Sequence, residues 1–335
     1  MVGGITGVGI FLAAAAASAV LILLLRGVLR RYALARPNAR SSHRKPTPQG
    51  GGIAVIAAVL GTTIAFLMLT EGVAVVTLWP VFAATAFLAF VGAWDDIHVI
   101  PVAPRLVLQA IAIAVVIISL PPDVRAFPIL PWWLERALLL IGGLWFVNLV
   151  NFMDGIDWMT VAEVVPLTAG LVLLGALGAL PDYGVAVALA LGGAMIGFAP
   201  FNRPVAKLFL GDVGSLPIGL LLGWLLLLLA ASGHLAAALL LPLYYLADAT
   251  VTLLRRLLRG EAPWQAHRGH FYQRAVDDSF TVRAVVARVF AVNLVLIALA
   301  AATVLLSSPV TDIGALALGA LLVAWLLISF ERGRR

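Results

Sequence analysis

Residues 211–232 read GDVGSLPIGLLLGWLLLLLAAS, and this stretch decides what kind of protein the chain is. From Val213 to Ser232 it carries no charged residue. A helix rises about 1.5 Å per residue, so roughly 20 such residues cross about 30 Å of hydrocarbon. The stretch therefore reads as a membrane span with Asp212 at its mouth. Gly211 and Gly214 bracket the aspartate so that its carboxylate projects from a tight turn, and Ser215 is placed to cap the helix that follows.

Working outward, the same test gives spans near 5–26, 51–70, 75–93, 105–120, 132–149, 160–180, 184–200, 214–232, 235–254, 284–306 and 312–330. The fourth is short. Only Ser232-Gly233-His234 separates the eighth from the ninth, so ten spans is the alternative count. Hydrocarbon cannot satisfy open strand edges, which leaves helices as the spanning element. The sequence thus predicts an all-α, polytopic transmembrane helical bundle of about eleven spans, one membrane domain over 1–335. Composition agrees, since 63% of the 335 residues are hydrophobic and 11% charged, with a mean hydropathy of +1.08. Soluble domains run nearer a quarter charged. The absence of cysteine excludes disulfides and thiolate metal sites.

Nothing basic precedes the first apolar run, and Arg26, Arg30 and Arg31 follow it. That is the pattern of a retained helix with its N-terminus outside, not of a signal peptide. Eleven spans then place 27–50, 94–104, 150–159, 201–213, 255–283 and the tail inside. Of the 22 Lys and Arg residues, only Arg125 and Arg136 fall on or near an outside loop, as the positive-inside rule requires. The net charge of +6 reports this orientation, and no nucleic-acid partner is expected.

Five polar constellations share the inside face. Around Lys45, the run Arg40 to Pro48 leads into Gly50-Gly51-Gly52 at a helix start, where backbone amides and the helix dipole suit a phosphate. Asp95-Asp96 ends the third span, with Arg105 opening the fourth. Adjacent carboxylates repel and need a cation nearby. Asn148, Asn151, Asp154 and Asp157 gather at the end of the fifth span, suited to a base, a ribose or metal-bound water. Asn202, Lys207, Phe209 and Asp212 precede the eighth, and Asp212 offers a hard oxygen of the kind Mg²⁺ prefers. His267, Arg268, His270, Tyr272, Gln273 and Arg274 suit anion and sugar recognition. A histidine pair with no third ligand close by does not make a zinc site. His234 and Asp248 stand apart as ionisable residues within apolar segments.

These ordered motifs resemble the polyprenyl-phosphate N-acetylhexosamine-1-phosphate transferases (glycosyltransferase family 4). The likeness runs from about Arg40 to Gln273. Asp95-Asp96 looks like the family's double aspartate, Asn148 to Asp157 like its segment ending in D-G-x-D, and Asn202 to Ser215 like its N-x-x-P-A-K-x-F-x-G-D-x-G-S signature. His267-Arg268-Gly269-His270, with Tyr272-Gln273-Arg274, looks like the sugar-recognition loop and is closest to the O-antigen initiating branch. A lysine that some branches place soon after the double aspartate is absent; His98 and Arg105 are the polar residues there.

The resemblance implies transfer of a sugar 1-phosphate from a UDP-N-acetylhexosamine to undecaprenyl phosphate, a membrane lipid, with release of UMP. It implies Mg²⁺, or Mn²⁺ in its place, held by Asp212 with Asp154. Asp95 or Asp96 would orient or deprotonate the lipid phosphate. Lys45, Arg105 and Lys207 would contact phosphates, Asn151, Asp154 and Asp157 the nucleotide or metal-bound water, and His267 to Arg274 the sugar. Location in the bacterial inner membrane, a site facing the cytoplasm and assembly as a homodimer complete the expectation. A transporter or flippase is the alternative from another class. A CDP-alcohol phosphotransferase is disfavoured, because its D-G-x-x-A-R motif is missing.

Overall fold

The computed structural model describes residues 4–35, 46–69, 73–262, 267–278 and 280–333. In chain order its helices are α1 (Gly4–Tyr32), α2 (Gly51–Leu69), α3 (Val73–Ile97), α4 (Val102–Ile118), α5 (Trp132–Met153), α6 (Met159–Ala176), α7 (Asp182–Phe198), α8 (Asp212–Ala231), α9 (Leu235–Leu240), α10 (Leu243–Leu258), α11 (Phe271–Asp278), α12 (Val282–Leu306) and α13 (Pro309–Arg332). A two-residue antiparallel pairing of β1 (Leu34–Ala35) with β2 (Thr47–Pro48) follows α1. Among the described residues, eight helices are long and apolar enough to cross a membrane, and α4 and α7 are shorter apolar helices. The protein is a polytopic helical membrane bundle.

The ninth expected span, 235–254, is broken. Leu241 and Pro242 separate α9 from α10, because proline has no N–H to donate and its ring clashes with the preceding turn. The second piece carries Asp248, Arg255 and Arg256, so α10 is amphipathic rather than uniformly apolar.

The helix with Asp212 at its mouth, α8, is the innermost. It touches α2, α3, α5, α7 and α9, and almost every residue from Val213 to Ala230 is buried. Between helices in lipid the hydrophobic effect gives little attraction, so close packing through small residues has to hold them. Gly52 of α2 lies so close to Gly214 of α8 that a Cβ on it would overlap the α8 backbone. Outward-facing Leu24, Trp79, Phe90, Ile118 and Leu321 are exposed and suited to lipid. At the bundle end away from Asp212, Arg125 pairs with the fully buried Glu135. Arg136 lies 5.5 Å over the Trp132 ring.

Candidate active site

The α8 N-terminus is the centre of the site. The first turn of a helix leaves unpaired N–H groups and a partial positive charge. Here they are met from α3: the Asp212 N–H donates to Asp96 Oδ1 at 3.0 Å, and the Val213 N–H to Asp96 Oδ2 at 3.2 Å. Gly211, at φ +79°, makes this approach possible, since a side chain there would run into the Asp96 carboxylate. Asp96 therefore works as the cap that Ser215 was expected to be. Ser215 instead accepts from Asn151 Nδ2 at 2.9 Å, and the same amide group donates to Asp212 Oδ1 at 2.8 Å. One asparagine at the end of α5 thus fixes the Asp212 rotamer.

Asp95 does different work from its neighbour. It accepts from the Ile100 N–H at 2.6 Å and pairs with Arg105 Nη1 at 2.9 Å. The same Arg105 nitrogen lies 3.7 Å from Asp212 Oδ2, and the Asp95 and Asp212 carboxyl groups are themselves within hydrogen-bonding reach. Like charges this close need a shared cation, and Arg105 supplies one.

Asp154 closes the site from the turn after α5. It ends that helix and accepts a hydrogen bond from Thr160 at the start of α6. Withdrawal from water, with the nearby charges of Asp96 and Asp157, pushes its carboxyl up to about 7 against the pull of Thr160. A carboxyl so raised is short of positive charge and suits a cation. Asp96, Asp95 and Asp157 spend their oxygens on amides or Arg105. Asp154 and Asp212 remain as hard-oxygen donors, both close enough to Asp96 to feel its charge. Among the described residues no group of three or more His, Asp or Glu forms a ready metal cage. Two carboxylates beside an amide nonetheless fit Mg²⁺, which is usually held by one or two carboxylates, waters and substrate phosphates.

Several predicted contacts belong to the scaffold instead. Asn148 lies one turn inside the bundle and donates to Gln109 of α4 at 2.6 Å. Asp157 is buried and accepts the Ala206 N–H at 2.9 Å. Asn202 accepts the Trp158 N–H at 2.7 Å and donates to the Leu208 carbonyl at 3.0 Å. Together they pin the 201–210 loop to the α5–α6 turn. Phe209 contributes backbone: its N–H donates to Pro48, and its carbonyl accepts from Gly51. The Gly52 N–H likewise donates to Leu210, so the amides of Gly51 and Gly52 are committed and do not cradle an anion. Lys207 is exposed and lines a separate recess with Arg26 and Arg30 of α1. Lys45 falls outside the described residues.

The His267–Arg274 segment is brought to the same end of the bundle. His267 and His270 stack at 4.9 Å, and His270 lies 6.3 Å from Phe152, two residues before Asp154. Arg268 pairs with Asp277. Thr160 was missed by sequence reasoning, since a lone threonine six residues past Asp154 has no local signature. The buried pair of Glu163 and Asn293, 2.7 Å apart between α6 and α12, was missed for the same reason.

The sequence profile of glycosyl transferase family 4 matches residues 78–230, a segment running from α3 into α8. The undecaprenyl-phosphate alpha-N-acetylglucosaminyl 1-phosphate transferase of Yersinia pestis is 30% identical over 273 residues, 74% of this chain and 70% of the relative. The chain belongs to glycosyl transferase family 4. Other members resemble it over different lengths. The decaprenyl-phosphate N-acetylglucosaminephosphotransferase of Mycobacterium tuberculosis is 27% identical over 337 residues, covering 88% of this chain and 81% of the relative. The phospho-N-acetylmuramoyl-pentapeptide-transferase of Gluconacetobacter diazotrophicus is 33% identical over 214 residues, 53% and 57% of the two chains. In this family 4 transferase, the profile takes in Asp95, Asp96, Arg105, Asn151, Asp154 and Asp212, the residues that the fold draws together.

Proposed function

We propose that the protein transfers an N-acetylhexosamine 1-phosphate from a UDP-sugar to undecaprenyl phosphate, releasing UMP. The observation that carries the reading is the Asp212 carboxylate, fixed at the mouth of the central helix between Asn151, Arg105 and Asp95. In the reaction an oxygen of the lipid phosphate attacks the β-phosphorus of the UDP-sugar. The bond from that phosphorus to the α,β-bridging oxygen breaks, and UMP leaves with the oxygen. Such transfer asks mainly for positioning and charge neutralisation. A lipid phosphate with a second pKa near 6 is mostly ionised at neutral pH, so it needs little help from a base.

Each residue then has a bounded task. Arg105 offsets charge on the phosphates, Asn151 holds Asp212 in one rotamer, and Asp96 keeps the turn that presents it. Mg²⁺, or Mn²⁺, held by Asp212 and Asp154, would neutralise pyrophosphate oxygens and stabilise the leaving UMP. The names of the relatives favour N-acetylglucosamine as the first donor to try. The loop at His267 to Arg274 supports the O-antigen initiating role among surface-polysaccharide pathways. The concentration of Lys and Arg at this end supports a cytoplasmic site in the inner membrane, where a nucleotide from water and a lipid can meet.

The test is UMP release by purified protein given undecaprenyl phosphate, Mg²⁺ and a panel of UDP-N-acetylhexosamines. Release with at least one donor, abolished in Asp212→Ala, is expected. Silence with every donor, or full activity in that variant, overturns the proposal.

A further inference from the structure

An aspartate on the buried face of a helix is expensive unless donors replace its lost hydration. Asp248 of α10 is fully buried, and its oxygens are saturated. Oδ1 accepts from the Phe271 N–H at 3.1 Å and from Thr252 Oγ1 at 3.3 Å, and lies 3.2 Å from His270 Nδ1. Oδ2 accepts from Tyr244 Oη at 3.1 Å and the Tyr272 N–H at 3.2 Å. Three of these five partners are consecutive residues of the segment that enters α11. A carboxylate accepts only, so in the His270 pair it is Nδ1 that donates.

The same segment reaches back to the reaction centre. His270 stacks between His267 and Tyr272, at 4.9 Å and 5.8 Å. The Tyr272 hydroxyl donates to the Phe152 carbonyl at 2.9 Å. Gly155 completes the fit, because a Cβ there would meet the Tyr272 hydroxyl and the Gln273 amide. The path from Asp248 through Tyr272 therefore ends beside Asp154. Of the flanking charges, Arg255 pairs with Glu331 and lies 4.7 Å over the Phe271 ring, Arg274 pairs with the same Glu331, and Arg268 pairs with Asp277.

We infer that Asp248 is a positioning residue: it fixes His270 and Tyr272 against the Asp154 turn and thereby sets the affinity for the sugar-nucleotide donor. The inference rests on the transfer reaction proposed above for its kinetic part, and on geometry alone for the rest. Its alternative is that Asp248 only stabilises the bundle.

Three variants of the full-length protein separate these possibilities. Asp248→Ala removes both acceptors. Asp248→Asn keeps one oxygen. Its NH₂ settles on the Oδ2 side, where it strands one fixed donor, the Tyr272 amide, rather than two on the other side. Tyr272→Phe removes only the bond to Phe152 and leaves Asp248 buried. Hydrogen exchange read by mass spectrometry is expected to speed up at least tenfold at Phe271 and Tyr272 in Asp248→Ala. In Asp248→Asn only Tyr272 is affected, and amides of α8 keep the wild-type rate in both. In UMP-release assays the KM for the UDP-sugar rises at least tenfold in Asp248→Ala and severalfold in Tyr272→Phe. The KM for undecaprenyl phosphate stays within twofold.

Unchanged exchange at 271 and 272 overturns the positioning role. So does a uniform rise across the chain, or an equal change in both KM values. Should Asp248→Ala not fold, the Asn and Phe variants carry the same comparison. Wild-type protein that releases no UMP with any donor counts against the transfer reaction alone, and the exchange arm still decides the placement of the segment.

Discussion

Asp96 and Asp212 sit in one cluster yet are predicted to respond oppositely to removal. Replacing Asp96 by alanine strands the Asp212 and Val213 N–H groups, both of which it accepts. An unsatisfied buried donor costs about 1–3 kcal/mol, and loss of the charge at a helix N-terminus about 0.3–1 kcal/mol more. Taking the lower part of that range for a site that water can partly reach, Asp96→Ala loses about 2–4 kcal/mol. For a chain of this size that lowers Tm by roughly 3–8 °C. Asp212→Ala strands no buried amide, frees Asn151 to keep its bond to Ser215, and relieves a carboxylate crowded against Asp95 and Asp96. Its Tm is expected to equal the wild type or exceed it, while UMP release disappears. Thermal unfolding in detergent at neutral pH without divalent cation, run beside the UMP assay, reads both quantities. An Asp96→Ala protein as stable as wild type, or an Asp212→Ala protein that melts several degrees earlier, refutes the division of labour.

Other outcomes follow from the same geometry. Asp157→Ala and Asn202→Ala, whose partners are loop amides and a carbonyl, should each cost about 1–3 kcal/mol of stability while leaving the donor KM within twofold; a large rise in KM at unchanged Tm would return them to the binding site. Asp154 holds a proton in the fold up to about pH 7, where the unfolded chain has released it near 3.8. The cation-free protein should therefore lose stability as pH rises from about 4 to 7. Mg²⁺ should restore it above that range, checked by Tm against pH with and without the ion. Chelation with EDTA is expected to abolish UMP release, and Mg²⁺ or Mn²⁺ to restore it; activity that survives chelation argues against a bound cation.

Much of this was written in the sequence, and the remainder was hidden for a physical reason. Spans are legible because hydrocarbon imposes length and apolarity on each one separately. Pro242 was the visible warning that 235–254 would break, but its neighbours are so apolar that hydropathy ran straight through it. Asp95, Asp96, Asp154 and Asp212 were recognisable as a group, since few other reasons place carboxylates at a membrane edge. Their separate duties were not, because each depends on a partner from another helix. Asp157 and Asn202 carry the same chemistry as the proposed ligands, and only the backbone groups opposite them show that they hold a loop. Asp248 stood apart in the sequence as an ionisable residue in an apolar segment, and the partners that account for it come from a segment over twenty residues away.

The hydrogen bond from Asp212 to Asp96 joins residues 116 positions apart, and that from Tyr272 to Phe152 joins residues 120 apart. Long-range contacts of this kind form late, because the intervening chain must first be placed. On a ribosome feeding helices into the bilayer one after another, Asp96 waits with an unmet charge until α8 arrives. The Asp154 turn waits longer still, for α11. A nascent chain stalled after Ala231 would own every aspartate of the cluster and lack the Tyr272 contact that backs the Asp154 turn, so that turn gains its last support only once α11 has been made.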